Sequence, residues 1–292
     1  MTYRGRFAPS PTGPLHFGSL VAAVASYLDA RAAGGEWHLR IEDVDAPRTV
    51  AGAEVEILRT LEALGFAWDG PIVRQGARAA RYEESLARLR ARALVYRCRC
   101  SRKEVADSGI TGLDGVVYPG TCRHARVGSG TAGAERFLVD DIPVTVIDRV
   151  QGPITQCLAS EIGDFVVKRR DGLFAYQLAV VVDDHDLGVT DVVRGADLIG
   201  STPRQVALQH ALKFATPRYL HVPVATRHGE KLSKQTLAPA IDARRGAQAL
   251  ALALRFLGQE VPRERSPTAL LAQAVRQWRP ELIPRCRSVD ID

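Results

Sequence analysis

The chain has 292 residues, 46% hydrophobic and 25% charged, a balance that suits a folded globular protein and excludes a disordered tail or a mini-protein. Thirty-nine Lys and Arg against thirty-three Asp and Glu leave a net charge of +6, which permits a polyanionic partner without requiring one. No run approaches the ~18 apolar residues of a membrane helix, and the opening Met1-Thr2-Tyr3-Arg4 begins no apolar leader, so a cytoplasmic protein with no membrane partner is expected.

Residues 3–8 alternate apolar and polar side chains and predict a strand, which Pro9-Ser10-Pro11-Thr12-Gly13-Pro14 interrupts before an alanine- and leucine-rich helix over 20–33. A second strand is predicted over 36–42, and helices over 50–65 and 78–93, where apolar residues recur every three or four positions. Strands alternating with helices argue for an α/β fold built on a Rossmann-type parallel sheet. From 98 to about 139 the periodicity fades, and the stretch reads as an insertion holding cysteines and a pliable glycine-rich run at 127–133. Periodicity returns at 165–170. The apolar run 178–182 suits a buried strand or helix, and a helix over 203–214 and a strand over 219–224 follow. Helical patterns close the chain at 248–257 and 269–278.

Two short segments carry candidate chemistry. In the first, His16-Phe17-Gly18-Ser19 sits where a strand-following loop becomes a helix, a junction whose free backbone amides and dipole favour phosphate. In the second, Lys231-Leu232-Ser233-Lys234-Gln235 puts two ammonium groups three residues apart in a glycine-introduced loop, suited to charge that grows on a phosphate during reaction. Either pattern alone is ordinary: a shaped turn in one case, a solvated charged loop in the other. Their occurrence in this order, at opposite ends of an α/β region, favours function.

Together HFGS and KLSKQ resemble the two signature motifs of the class I aminoacyl-tRNA synthetases. Longer blocks narrow the likeness: RFAPSPTG, RIEDVD, DFVVKRRDGLFAYQLAVVVDD and VVRGADL are similar to the glutamyl and glutaminyl branch, over residues 3–240. The stretch after Lys234 is too short for the anticodon-binding domain of a full-length glutamyl enzyme. With KLSKQ and a cysteine-bearing insertion, the chain looks most like the truncated branch that attaches glutamate to the queuosine base in the anticodon loop of tRNA(Asp). Ser19 stands where many class I enzymes have a second histidine, a departure the glutamate branch tolerates.

The resemblance implies a division into 1–97, the first half of the catalytic domain; 98–165, an inserted zinc-containing, acceptor-binding-like subdomain; 166–240, the second half with the KLSKQ loop; and 241–292, a short helical region. It implies ATP with Mg2+, L-glutamate and queuosine-bearing tRNA(Asp) as ligands, in a monomer. His16, Lys231 and Lys234 take the catalytic roles, with His16, Gly18, Ser19 and Lys234 around ATP. Arg6, Phe7, Ala8, Pro9, Ser10, Glu42, Tyr176 and Arg194 surround glutamate, Glu42 taking the α-ammonium and Arg194 a carboxylate. A guanidinium can pair bidentately with the side-chain carboxylate, so glutamate is expected over glutamine. Taken singly, each of these residues is as well explained by a surface ion pair, a satisfied hydroxyl or a turn cap.

Cys98, Cys100 and Cys122 offer three thiolates for a structural zinc. On chemical grounds Tyr118 or His124 could be the fourth ligand; the resemblance implies Tyr118, and reduced cysteines without metal are the plain alternative. Asp183, Asp184, His185 and Asp186 look like a metal cluster, but the resemblance gives them a structural or ribose-side role. Two rival readings remain: a minimal glutamyl-tRNA synthetase charging the 3′ end of tRNA(Glu), and a non-catalytic paralogue that binds glutamate or adenylate and regulates a partner.

Overall fold

A computed structural model describes residues 2–108, 111–112, 115–125, 132–227, 230–231 and 239–291. Strand β1 (Arg4–Phe7) leads through a proline-rich loop into helix α1 (Phe17–Ala32), and β2 (Glu36–Ile41), α2 (Ala53–Ala63), β3 (Val73–Arg74) and α3 (Ala79–Ala91) follow. β1 pairs with β2 in parallel, Phe7 opposite Leu39, and β2 with β3, Ile41 opposite Arg74. Helix α1 is apolar on most sides because it is covered on most sides, packing on β1 and β2 and under the C-terminal helices. Trp37 fixes this core: its ring stacks 5.6 Å from Phe66, and its Nε1 donates to Ser26 Oγ at 3.0 Å. The polar edge of the indole is thereby satisfied inside an apolar cluster.

Next come β4 (Val95–Cys98), α4 (Arg102–Ala106), β5 (Thr111–Gly112), β6 (Gly115–Val116) and β7 (Ala134–Phe137). Then follow β8 (Val144–Asp148), β9 (Gly152–Gln156), α5 (Leu158–Glu161) and β10 (Phe165–Lys168). β7 lies between β10 and β4, antiparallel to both. The hairpin of β8 and β9 falls inside the stretch read as an insertion, yet it extends the main sheet: Asp148 of β8 sits opposite Tyr219. Its alternation explains this, since Val146 and Asp148 are buried while Thr145 and Ile147 face out.

The apolar run 178–182 proves helical, within α6 (Tyr176–Asp186). After it come β11 (Asp191–Gly195), α7 (Ser201–Leu212), β12 (Arg218–Val222), β13 (Val224–Arg227) and β14 (Glu230–Lys231). Helices α8 (Gly246–Phe256) and α9 (Pro267–Gln277) occupy the C-terminal region, which ends not in a helix but in β15 (Ser288–Asp290), parallel to β13. β11 and β12 are parallel, with Arg194 opposite His221. The Thr190 amide donates to the Arg4 carbonyl at 2.9 Å, bringing the starts of β11 and β1 together. From β1 the chain therefore runs outward to β2 and β3 on one side and returns as β11 and β12 on the other. The carboxyl ends of β1 and β11 flank the crevice where such sheets bind ligands.

Candidate active site

A cleft of about 510 Å3 opens at that crevice. Its wall includes Arg6, Phe7, Ala8, Pro9 and Ser10 from the end of β1, His16, Gly18 and Ser19 from the start of α1, Glu42, Tyr176 and Arg194. The structure thus gathers into one cavity every described residue that the sequence suggests for glutamate and ATP. Lys231 closes β14, but its side chain, like all of Lys234, lies outside the described residues.

The start of α1 is built on His16. Its backbone is extended (φ −110, ψ 173), and its Nδ1 accepts from the Ser19 amide at 3.3 Å, so the imidazole acts as the helix cap. An accepting Nδ1 carries no proton, which puts the proton of the neutral ring on Nε2, a hydrogen-bond donor.

Behind the glutamate side of the cleft lies a ladder of buried charge. Arg6 Nε donates to Asp184 Oδ1 at 3.1 Å, and Arg40, fully buried, reaches the same oxygen from Nη1 at 2.6 Å and Glu42 Oε1 from Nη2 at 3.0 Å. Burial alone would raise the Asp184 pKa, but the Arg6 and Arg40 guanidiniums outweigh it and hold the carboxyl below its usual value. Glu42 goes the other way: burial outweighs Arg40 and Arg6 and raises its pKa. Burial, with the Glu42 charge next, also raises that of Tyr176. A cation entering beside Glu42 would relieve both shifts, which suits an α-ammonium.

Arg194 is held differently. Nε donates to His221 Nε2 at 3.0 Å, Nη1 to Gln205 Oε1 at 2.8 Å, and Nη2 to Thr202 Oγ1 at 2.8 Å and the Leu198 carbonyl at 3.3 Å. None of these acceptors is a carboxylate. Four of its five N–H groups are engaged, which leaves one Nη1 hydrogen without an acceptor among the described residues. The expected bidentate clamp is therefore not available from this arrangement. It offers a single charge-assisted bond from a guanidinium with which no carboxylate among the described residues pairs directly, although Asp197 lines the same cleft.

The acidic run on α6 divides. Asp183 accepts from Arg78 Nε at 2.6 Å, Gln75 Nε2 at 2.7 Å and the Tyr82 hydroxyl at 2.8 Å, while Asp186 pairs with Arg78 and Arg81. His185 stacks on Phe214. These side chains tie α6 to α3 and the turn before it and to the segment just after α7, and Asp184 alone turns toward the cleft wall. Asp43 and Asp45 are loop ties as well, Asp43 accepting from the Gly76 amide at 2.7 Å and Asp45 pairing with Arg169 at 3.1 Å.

A second cluster lies in the inserted stretch. The sulfurs of Cys98, Cys100 and Cys122 all lie within 4.8 Å of one another, those of Cys100 and Cys122 at 3.5 Å. The Tyr118 hydroxyl is 3.3 Å from Cys98 Sγ and 3.9 Å from Cys100 Sγ. Zinc–sulfur bonds of about 2.3 Å in a tetrahedron separate ligand sulfurs by about 3.8 Å, so this donor set fits a zinc ion. His124 is exposed and is not among the clustered donors. Without an ion the thiols share their protons unequally: at Cys122 burial is outweighed by hydrogen bonds from the Arg99 amide and the cluster neighbours, which bring it down to about 7, while burial and the contact with Cys122 push Cys100 up to about 11.

Sequence reasoning missed the layer behind Arg194: Asp148, His221, Thr202 and Gln205, all buried. It also passed over Arg40, although RIEDVD contains it.

Residues 2–255 match the family described as tRNA synthetases class I (E and Q), catalytic domain. A protein of Dechloromonas aromatica named Glutamyl-Q tRNA(Asp) synthetase is 55% identical over 97% of this chain and 96% of its own length. One of the same name from Pseudomonas aeruginosa is 50% identical over 99% of this chain and 97% of its own. Among solved structures, a glutamate–tRNA synthetase from Elizabethkingia anophelis superimposes with a TM-score of 0.83 at 23% identity, covering all of this chain and 68% of that one. That likeness speaks for the fold alone.

Proposed function

The chain belongs to the class I tRNA synthetases of the glutamate and glutamine type, and on that footing we propose that it activates L-glutamate with ATP and transfers it to queuosine in the anticodon loop of tRNA(Asp). The observation that carries this reading is the cleft at the β1–β11 switch point, which has an anion-binding helix start on one side and, on the other, the Glu42 carboxylate and an Arg194 bonded only to neutral acceptors. The names of the relatives supply the acceptor.

In the first step an oxygen of the glutamate α-carboxylate attacks the α-phosphorus of ATP, the bond to the β-phosphate oxygen breaks, and pyrophosphate leaves. Glu42 holds the α-ammonium. Arg194 holds the side-chain carboxylate through its remaining Nη1 hydrogen and its charge. His16 donates from Nε2 to a phosphate oxygen, the first amides of α1 add their dipole, and Gly18 lets the nucleotide approach the backbone. Lys231 and Lys234 stabilise the charge that grows on the departing phosphates. In the second step an RNA hydroxyl attacks the activated carbonyl and AMP leaves. Magnesium accompanies ATP. Zinc, held by Cys98, Cys100, Cys122 and Tyr118, would cross-link the inserted stretch and take no part in either step. Both proposed substrates suit a cytoplasmic protein.

The test is incubation with labelled glutamate, ATP and total tRNA from cells with and without queuosine, followed by nuclease mapping. Label confined to an anticodon-loop fragment of queuosine-bearing tRNA is the expected result. Label at the 3′ terminal ribose irrespective of queuosine would make the chain a minimal glutamyl-tRNA synthetase, and absence of any pyrophosphate exchange would make it a binding paralogue.

A further inference from the structure

The cleft holds its arginines by two different means. Arg6 and Arg40 are neutralised by carboxylates, whereas Arg194 is bonded only to neutral acceptors. One of those acceptors is unusual. Arginine can only donate, so the contact from Arg194 Nε requires a lone pair on His221 Nε2, and the ring proton must then sit on Nδ1. There it meets Asp148 Oδ2 at 2.7 Å. The other carboxylate oxygen, Oδ1, accepts the amides of Gln151 at 2.8 Å, Val150 at 3.0 Å and His221 at 3.2 Å. His221 has no exposed surface, lies 6.1 Å from the parallel ring of Tyr219, and has both ring nitrogens engaged, Nδ1 by Asp148 and Nε2 by Arg194, which together set its tautomer. The chain Asp148–His221–Arg194 spans β8, β12 and β11, with the sheet register setting its spacing.

We propose that His221 is a positioning residue for substrate selection: oriented by Asp148, its Nε2 lone pair holds the Arg194 Nε edge and turns the Nη1 edge to the cleft to receive the side-chain carboxylate of the amino acid. Neutrality of the ring is essential to this. A direct carboxylate partner would cancel the charge of Arg194 and remove its preference for an acid over an amide, whereas an imidazole fixes the guanidinium and leaves its charge to the substrate. The same register keeps Asp148 one ring away, near enough to fix the tautomer without pairing with Arg194. Burial and the facing Arg194 charge both disfavour protonation of His221 and outweigh Asp148 and the more distant Asp197, taking its pKa down to about 4, so the ring is neutral at physiological pH.

The inference rests on the reading of the cleft as a glutamate-activating site, and the experiment separates the two. Glutamate-dependent ATP–pyrophosphate exchange is measured for the wild type and for His221→Phe, His221→Gln and Asp148→Asn, with KM for glutamate and for ATP and the ratio of glutamate to glutamine activation. Phe removes the acceptor at similar volume and should raise KM for glutamate at least thirty-fold and shrink the glutamate preference at least ten-fold, with KM for ATP within about three-fold. Gln restores an acceptor near Nε2 and should recover most of both losses. In Asp148→Asn the Oδ1 contacts to the backbone amides persist, but the new amide N–H faces His221 Nδ1 and drives the proton to Nε2, against Arg194. That variant should also lose glutamate KM selectively, and it carries the test if the Phe variant does not fold. A wild type that ignores glutamate overturns the functional reading. A glutamate-dependent wild type whose variants keep glutamate KM and selectivity, or lose kcat and both KM values alike, overturns the role of His221.

Discussion

Arg40 donates from Nη1 to Asp184 Oδ1 at 2.6 Å, and no part of that guanidinium reaches solvent. The pair lies under the cleft floor, where Asp184 also holds Arg6 and Arg40 also holds Glu42. Removing one member of a buried pair strands the other's charge, so Asp184→Ala should lose roughly 3–5 kcal/mol of unfolding free energy in urea titration. Asp184→Asn keeps the shape and should lose less, while still loosening Arg6.

The pH dependence of stability follows from the same contacts. Asp184 is depressed in the folded chain, so its contribution is complete above the unfolded aspartate value of about 3.9 and vanishes as pH falls through the lower folded value. Glu42 is raised, so it opposes folding at neutral pH, and that opposition is relieved as pH falls through its raised value toward about 4.3. Wild-type stability should therefore drop below about pH 4, and the Asp184→Asn variant should show a shallower drop. Equal acid limbs in urea titrations at several pH values would refute the assignment.

His16 caps α1 and is proposed to bind a phosphate as well, and two substitutions pull the roles apart. His16→Asn keeps an acceptor for the Ser19 amide, so stability should change by less than about 0.5 kcal/mol while exchange falls about 100-fold. His16→Ala should lose activity equally and about 1 kcal/mol of stability as well. Thermal unfolding alongside exchange assays distinguishes them, and an asparagine variant with undiminished exchange would leave His16 a cap only.

These contacts also indicate what a sequence can disclose. Arg6, Ser10 and Glu42 were legible because they stand in unbroken blocks at strand ends, and His16 because it opens the helix that follows β1, the places where an α/β sheet binds its ligands. Asp183 and Asp184 look like a metal pair only in sequence: neighbours on a helix point about 100° apart, so one turns to Arg78 and Tyr82 and the other to Arg6 and Arg40. Asp148 and His221 could not be linked at all, being 73 residues apart and brought together only by the parallel pairing of β8 with β12. The hairpin that carries Asp148 looked like part of the insertion because irregular sequence on its N-terminal side hid a five-residue alternation.

The two lysines of the KLSKQ segment, Lys234 among them although it also stands around ATP, should act more on the transition state than on ground-state ATP binding. Lys234→Ala should lower the exchange rate about 100- to 1000-fold with KM for ATP changed only a few-fold, and Lys231→Ala should behave similarly. Unchanged exchange in Lys234→Ala would remove that residue from the mechanism.

Gly163 gives a test of the zinc proposal that leaves every donor atom in place. Its φ is +71, and a Cβ added there would fall 2.3 Å from the carbonyl oxygen and 2.9 Å from the amide nitrogen of Tyr118, both backbone atoms that cannot swing aside. Gly163→Ala must therefore push the Tyr118 backbone away, and with it the hydroxyl that lies between Cys98 and Cys100 and accepts from the Cys122 amide at 2.8 Å. One zinc per chain is expected in the wild type by elemental analysis, and Cys122→Ala should carry much less. Gly163→Ala should retain zinc but release it to a chelator at least ten-fold faster, with a strain cost of about 1–2 kcal/mol from the left-handed backbone. Chelation of the wild type should lower its melting temperature while leaving the exchange rate per folded molecule unchanged, since the ion ties the insertion and does not touch the reacting phosphate. If Gly163→Ala released zinc at the wild-type rate, Tyr118 would not be a ligand, and the three cysteines would hold the ion with a donor from elsewhere.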